Sequence, residues 1–371
     1  MKKTALVLLS LVFALSTVAT GFAADTIKLG VAGPHSGDLA PYGIPAMKAA
    51  QLVVKKINAE GGVLGKQVEL LIQDDECKPE KATNTATKLV TDGADVVLGH
   101  ICSGATKAAL GIYKDAKIPV MSPSATNPPL TQSGEYPNFF RTIASDDMQA
   151  MLAVDFAINT LGLKKIAVLH DKGDYGKGFA EFAKQFVEAS GKAEVVLFEG
   201  ITPGAINYDS IVGKIRRDGA EALIFGGYHP EASKLVQSMK RKRLDVAFIS
   251  DDGVKDDSFL KVAGEAAEGA YMTGPKDLSS IPLNAAATAA FKAEYGADPG
   301  AFFQEGYSAA LALLNAIEKA GSTDYDAVNN ALRTEYVETP VGKIKFDAKG
   351  DAEGVGFSVY TVKDGAFVEL K

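Results

Sequence analysis

Apolar residues fall in short runs separated by amphipathic stretches of helical period, and the two alternate from one end of the chain to the other. Residues 26–32 (TIKLGVA) alternate and then turn apolar, which predicts a strand, and Gly33, Pro34, His35, Ser36, Gly37 and Asp38 follow as a turn cluster. The next stretch predicts a helix with Met47, Ala50, Val54 and Ile57 on one face and Gly61-Gly62 as its stop. Residues 67–73 predict a strand, and Pro79 opens a helix reaching about Thr91. Val96-Val97-Leu98 reads as a buried strand ended by Gly99. It empties into Cys102, Ser103, Gly104, Ala105 and Thr106, small and hydroxyl residues that start a helix for which Ser103 is the expected cap. Residues 118–121 form the next apolar run, ending in Ser122-Pro123-Ser124-Ala125-Thr126. The order β-α-β-α-β-α-β predicts a parallel sheet with helices on both faces.

The rhythm breaks at 127–144, where Asn127-Pro128-Pro129 and Gly134 to Pro137 read as turns and Phe139-Phe140-Arg141-Thr142 as a short strand. Alternation restarts with a helix from Met148, strand 165–170, a helix from Tyr175, strand 195–198, helix 208–217, strand 222–225, helix 231–243 and strand 246–249. Helices are expected at 284–295, 301–320 and 325–334, then strands at 343–346 and 357–362 around a turn at 347–350. The same grammar twice predicts an α/β protein of two similar lobes. The expected division is 25–144 plus 275–355 for one lobe and 145–274 plus 356–371 for the other.

Three compositional features narrow the class. Met1-Lys2-Lys3, an apolar run over residues 5–15 and the small-x-small site Gly21-Phe22-Ala23 read as a signal peptide, residues 1–23, cleaved after Ala23 or Ala24. The apolar run is too short for a membrane span, so an exported, periplasmic chain is expected. Loss of Lys2 and Lys3 takes the net charge from −7 to −9, which argues against nucleic acid as a partner. The even pair Cys77 and Cys102 in an exported chain predicts one disulfide. His35, His100, His170 and His229 have no ligand spacing, so neither a metal nor a cofactor is expected.

In open parallel sheets, ligands sit beyond the carboxyl ends of strands. In the first lobe those ends carry Ser36 and Tyr42, Cys102-Ser103, and Ser124-Ala125-Thr126. In the second they carry His170-Asp171 with Tyr175, Gly226-Gly227-Tyr228-His229, and Asp251-Asp252-Gly253. Free amides at a helix N-terminus favour an anion. Hydroxyls and amides on one side with tyrosines and a carboxylate on the other suit a cleft closing on something small, zwitterionic and partly apolar. Singly, each residue also fits packing, a cap or a turn. An enzyme is disfavoured, because Ser103 has no Gly-x-Ser-x-Gly elbow and the glycines at 173, 176 and 178 match neither dinucleotide nor phosphate-loop spacing.

The words Tyr42-Gly43, Asp74-Asp75-Glu76-Cys77, Gly99-His100-Ile101-Cys102-Ser103, Gly226-Gly227-Tyr228-His229-Pro230-Glu231 and Lys349-Gly350-Asp351 resemble those of periplasmic binding proteins for branched-chain amino acids. The resemblance covers essentially the whole chain. It implies the type I fold, two Rossmann-like lobes joined by a three-segment hinge, working as a monomer with the membrane permease of an ABC importer. It also implies that Ser103 and Thr126 hold the ligand carboxylate. The Ser124 carbonyl, the Thr126 hydroxyl and Asp252 would hold the ammonium, with Tyr42, Ile101, Cys102, Tyr175, Tyr228 and Phe302 as the side-chain wall. Two positions depart from the family pattern: Ser124 stands where alanine is usual, and Asp252 where glutamate is usual. The implied ligand is a neutral aliphatic L-amino acid such as leucine, isoleucine or valine, without a ranking among them. A small organic acid, or a sensory rather than a transport role, remains the alternative.

Overall fold

The computed structural model describes residues 26–370; the expected signal peptide lies outside the described residues. Strands β1 (Ile27–Gly33), β2 (Val68–Asp74), β3 (Val96–Leu98), β4 (Val120–Ser122) and β5 (Phe139–Arg141) form a sheet ordered β2-β1-β3-β4-β5. Every pair in it is parallel. Strands β6 (Lys165–His170), β7 (Glu194–Gly200), β8 (Ala222–Gly226), β9 (Ala247–Ser250) and β10 (Tyr271–Pro275) begin the second sheet. A small hairpin, β11 (Val337–Thr339) with β12 (Gly342–Ile344), stands apart from both. β13 (Phe357–Lys363) and β14 (Ala366–Glu369) then join the second sheet antiparallel, giving β14-β13-β10-β9-β8-β6-β7.

The strands are short and apolar because helices cover both faces of a parallel sheet. Val96, Val97 and Leu98 are all fully buried. After β10 the chain returns to the first sheet, where helices Phe303–Ala320 and Tyr325–Thr334 share one core with β1, β3 and helix Ala40–Ala59. It then crosses a third time to place β13 beside β10.

Several elements differ from their sequence-based expectation. Cys102, not Ser103, is the N-cap of helix Ser103–Asp115, and no side chain caps it. A turn of helix, Pro129–Gln132, occupies part of the expected break, with Pro129 supplying the fixed φ that starts helices. The helix expected from Met148 begins at Asp146 and ends in a π-helical turn, Phe156–Thr160. β10 and β14 were not anticipated: β10 follows the short helix Asp257–Ala263 and the turn Glu268-Gly269-Ala270, and β14 is an exposed edge. The expected strand at 343–346 is the short β12.

Two fixings hold the loops of the first sheet. Cys77 and Cys102 form the expected disulfide, with Cα atoms 5.5 Å apart, tying the exit of β2 to the head of helix Ser103–Asp115. Arg141, fully buried at the end of β5, donates from Nη1 to Ala125 O at 3.2 Å and Asn127 O at 3.1 Å. Its Nη2 donates to Thr131 Oγ1 at 2.8 Å, and Nε pairs with Asp351 Oδ1 at 2.5 Å. Truncating one partner of a buried pair strands the other and the carbonyls it served. Arg141→Met should therefore lower unfolding free energy by about 3–5 kcal/mol, read as a shift of the urea midpoint.

Candidate functional site

The carboxyl ends of the two sheets face each other, and the lobes meet there. Close packing of glycines sets the second lobe's contribution. A Cβ on Gly226 would lie 2.1 Å from Gly176 O, and one on Gly176 would lie 2.3 Å from Gly226 O. Only bare backbone allows helix Asp174–Ser190 to start this close to the end of β8. That approach sets Tyr175 beside Tyr228, ring centroids 5.1 Å apart. From the first lobe Tyr42 completes the group, 5.9 Å from Tyr228 and 5.8 Å from Phe302.

Gly253 is pinned from both lobes. Its N–H donates to Tyr175 OH at 2.9 Å, and its carbonyl accepts from Tyr42 OH at 2.5 Å. Tyr175 OH in turn donates to Asp252 Oδ1 at 2.5 Å. A small void lies between the lobes, bounded on the first-lobe side by Tyr42, Ile101, Cys102, Ser124 and Phe302. Tyr175, Tyr228, Asp252 and Gly253 bound it on the other.

Three of the expected site residues do not line this void: Ser103, Ala125 and Thr126 stand behind it. Ser103 Oγ accepts from Asn127 N at 3.3 Å, which joins the two strand-end loops. Ser122 Oγ donates to His100 O at 2.5 Å and accepts from Ala125 N at 2.9 Å, while Ser124 Oγ donates to Ile101 O at 2.8 Å. Beneath them a buried chain runs from Asp75 Oδ2 to His100 Nδ1 at 2.5 Å and from His100 Nε2 to Tyr113 OH at 3.1 Å. The loop that carries Ile101 and Cys102 is thus held from below.

The sequence reading missed the polar group behind Asp252. Thr126 Oγ1, both carboxylate oxygens of Asp146, both amide atoms of Gln149 and Asp252 Oδ2 are buried without a hydrogen-bond partner. Thr126 stands beside Asp146 and Gln149 beside Asp252, out of good hydrogen-bond geometry but near enough for the hydroxyl and the amide each to hold its neighbour's carboxyl down against burial. Burial, and then the charge of Asp252, push the Asp146 carboxyl well above the usual carboxylate range. The same two causes raise Asp251, whose Oδ2 accepts from Gly227 N at 2.8 Å. Burial raises Asp252 too, against the hydrogen bond from Tyr175. The available signal for Asp146 was Ser145-Asp146 following the strand 139–141, the same strand-then-polar pattern as at Ser124-Ala125-Thr126.

Asp252 and Phe302 also form one wall of a larger cavity of about 560 Å³ on the hinge side, lined further by Lys255, Glu305 and Tyr360. Lys255 Nζ lies 4.3 Å from the Tyr360 ring centroid, and burial lowers its pKa. Gly274 leaves room for its stem, since a Cβ there would lie 2.3 Å from Lys255 Cδ. Burial pushes the Glu305 carboxyl up to about 7.

Two α/β lobes that meet at their strand ends over a small polar and aromatic void define a bilobal solute-binding protein. The chain belongs to the periplasmic binding protein family, whose sequence model matches residues 26–366. It is 40% identical to the leucine-, isoleucine-, valine-, threonine- and alanine-binding protein of Pseudomonas aeruginosa, over 98% of both chains. A leucine binding protein from Thermotoga maritima superposes with a TM-score of 0.87 at 25% identity, covering 93% of this chain and 98% of that one. The branched-chain amino acid transporter substrate binding protein of Streptococcus pneumoniae, solved with isoleucine, superposes with a TM-score of 0.82 at 28% identity, covering 93% of this chain and all of that one. The fold is the type I periplasmic binding protein fold.

Glu305 gives a pH test. The unfolded chain gives up its proton near 4.5, whereas the folded chain keeps it to about 7. The folded state binds more protons in that window, so stability falls as pH rises through it, by on the order of 3 kcal/mol. Glu305→Gln removes this loss. Its Tm should match the parent's near about pH 4 and exceed it near about pH 8, measured by differential scanning calorimetry.

Proposed function

We propose that this chain captures a branched-chain or similar neutral aliphatic amino acid between its two lobes and delivers it to the membrane permease of an ABC importer. It would do so as a monomer in the periplasm, after removal of residues 1–23. The lobes are taken as 25–144 plus 275–355 and 145–274 plus 356–371. The observation that carries the reading is the buried, partnerless polar group of Thr126, Asp146, Gln149 and Asp252. A dry carboxylate needs a counter-charge, and an ammonium fits between acceptors of this kind. The relatives' names, and the neighbour solved with isoleucine, support the same class.

In this reading Ser103, the amides at the head of helix Ser103–Asp115 and Thr126 take the α-carboxylate. Asp252, with Asp146 added, the Ser124 carbonyl and the Thr126 hydroxyl take the ammonium. Tyr42, Ile101, Cys102, Tyr175, Tyr228 and Phe302 enclose the side chain, with Ala125 as backbone between the two hydroxyl residues. One methylene in such a slot shifts affinity by only about 1–3 kcal/mol, so selection among leucine, isoleucine and valine is shallow.

Calorimetric titration with leucine and with 4-methyl-2-oxopentanoate separates amine reading from plain acid binding. The keto acid leaves the aspartates unpaired, so leucine should bind tighter by several kcal/mol. Equal affinity would move the ligand class to organic acids. Thr126→Ala should weaken leucine binding by roughly 1.5–3 kcal/mol, and an unchanged Kd removes its role.

A further inference from the structure

The residues flanking the two ligand-facing positions Thr126 and Tyr175 reach across the cleft to each other. Asn127 Nδ2 donates to Asp174 O at 2.6 Å, and Lys107 Nζ pairs with Asp174 Oδ1 at 2.9 Å. Asn127 belongs to the loop after β4, and Asp174 opens the helix that carries Tyr175. The backbone of Asn127 is fixed wholly from its own lobe: its N–H donates to Ser103 Oγ at 3.3 Å and its carbonyl accepts from Arg141 Nη1 at 3.1 Å. Only its side chain crosses.

Glycine makes room for that crossing on each side. A Cβ on Gly178, one turn into the second-lobe helix, would lie 2.4 Å from Asn127 Nδ2. A Cβ on Gly104, in the first-lobe helix, would lie 3.4 Å from Asp174 Oδ2. The amide therefore sits in a notch open at the helix surface, one residue from the hydroxyl expected to read the ligand. A contact between lobes exists only while they are together.

We propose that Asn127 is a positioning residue whose side chain clasps Asp174 at the cleft rim and so sets how slowly bound ligand is released. This rests on the capture reading above. The clasp forms after encounter, so it acts on the dissociation rate and leaves the association rate alone. The Lys107–Asp174 pair adds little by itself, since it is exposed to solvent.

The test is stopped-flow tyrosine fluorescence of the full mature chain with leucine, comparing the parent with Asn127→Ala and with Gly178→Ala. Loss of one hydrogen bond should raise koff by about 3- to 10-fold with kon within about twofold. Gly178→Ala should do the same while its Tm holds or rises, because alanine favours the helix interior. That split is one a merely structural role would not produce. An unchanged koff in both variants, or equal changes in koff and kon, overturns the clasp. If the parent fails to bind leucine, the capture reading fails on its own, and the clasp is read without ligand by small-angle scattering. Asn127→Ala should then have the larger radius of gyration, and an unchanged radius overturns it.

Discussion

Carboxylates cannot remain ionised in a closed, dry cleft without a positive charge to face them. Asp146, Asp251 and Asp252 are all buried where the lobes meet. Two of them have neighbours that raise rather than relieve the cost, since each is pushed up by the charge of Asp252. Tyr175 and the Gly227 amide answer part of this demand, with one hydrogen bond to Asp252 and one to Asp251. The remaining oxygens have none. The protein has placed acceptors where the fold supplies too few donors, and in the proposed reading a ligand that brings its own ammonium meets that deficit.

A ligand in such a cleft is held well only if the acceptors do not move to follow it. The first lobe meets this by tying its strand-end loops to one another and to buried charge. Arg141 gathers the carbonyls of Ala125 and Asn127, Ser122 bridges to His100, and the disulfide anchors the head of the next helix. The cost of ordering these loops is met in folding and need not be met again on binding. The second lobe is arranged differently. Its tyrosines and Asp252 are positioned by glycine contacts between backbone segments, which set distances without hydrogen bonds of their own.

The fold was legible because both sheets obey one rule: buried parallel strands are continuous apolar runs, and amphipathic helices separate them. Legibility failed where that rule does not apply. β14 is half exposed, and β10 is reached from β9 through a helix of only 7 residues flanked by single turns. Ser103 read as a cap because serine favours that position, but the cap role fell to Cys102, whose extended backbone is fixed by its disulfide. The tyrosine wall and Asp252 were readable as strand-end residues. Gln149 was not, and Asp146 offered only its place after a strand, which an acid that merely opens a helix shares with one that faces a cleft. Their function depends on Asp252, more than a hundred positions away, and only folding brings the three together.

The shorter arm of Asp252, where the family pattern has glutamate, finds its counterpart in the same geometry. Tyr175 OH holds Oδ1 and accepts from the Gly253 amide, so the carboxylate is fixed by the residue that follows it. Oδ2 is buried with no well-formed hydrogen bond among the described residues, near the Gln149 amide. Asp146, from the same lobe, lies near enough to Asp252 for the charge of Asp252 to hold its carboxyl up. In the proposed reading, amine recognition is then shared by two acids of the second lobe and no longer rests on one long side chain. Both acids belong to the second lobe, so their pairing does not wait for closure. In that reading a ligand's ammonium relieves the repulsion between them. What the first lobe adds from across the cleft is enclosure: Tyr42 OH reaches the carbonyl of Gly253, next to Asp252, and sets its ring beside Tyr228 and Phe302.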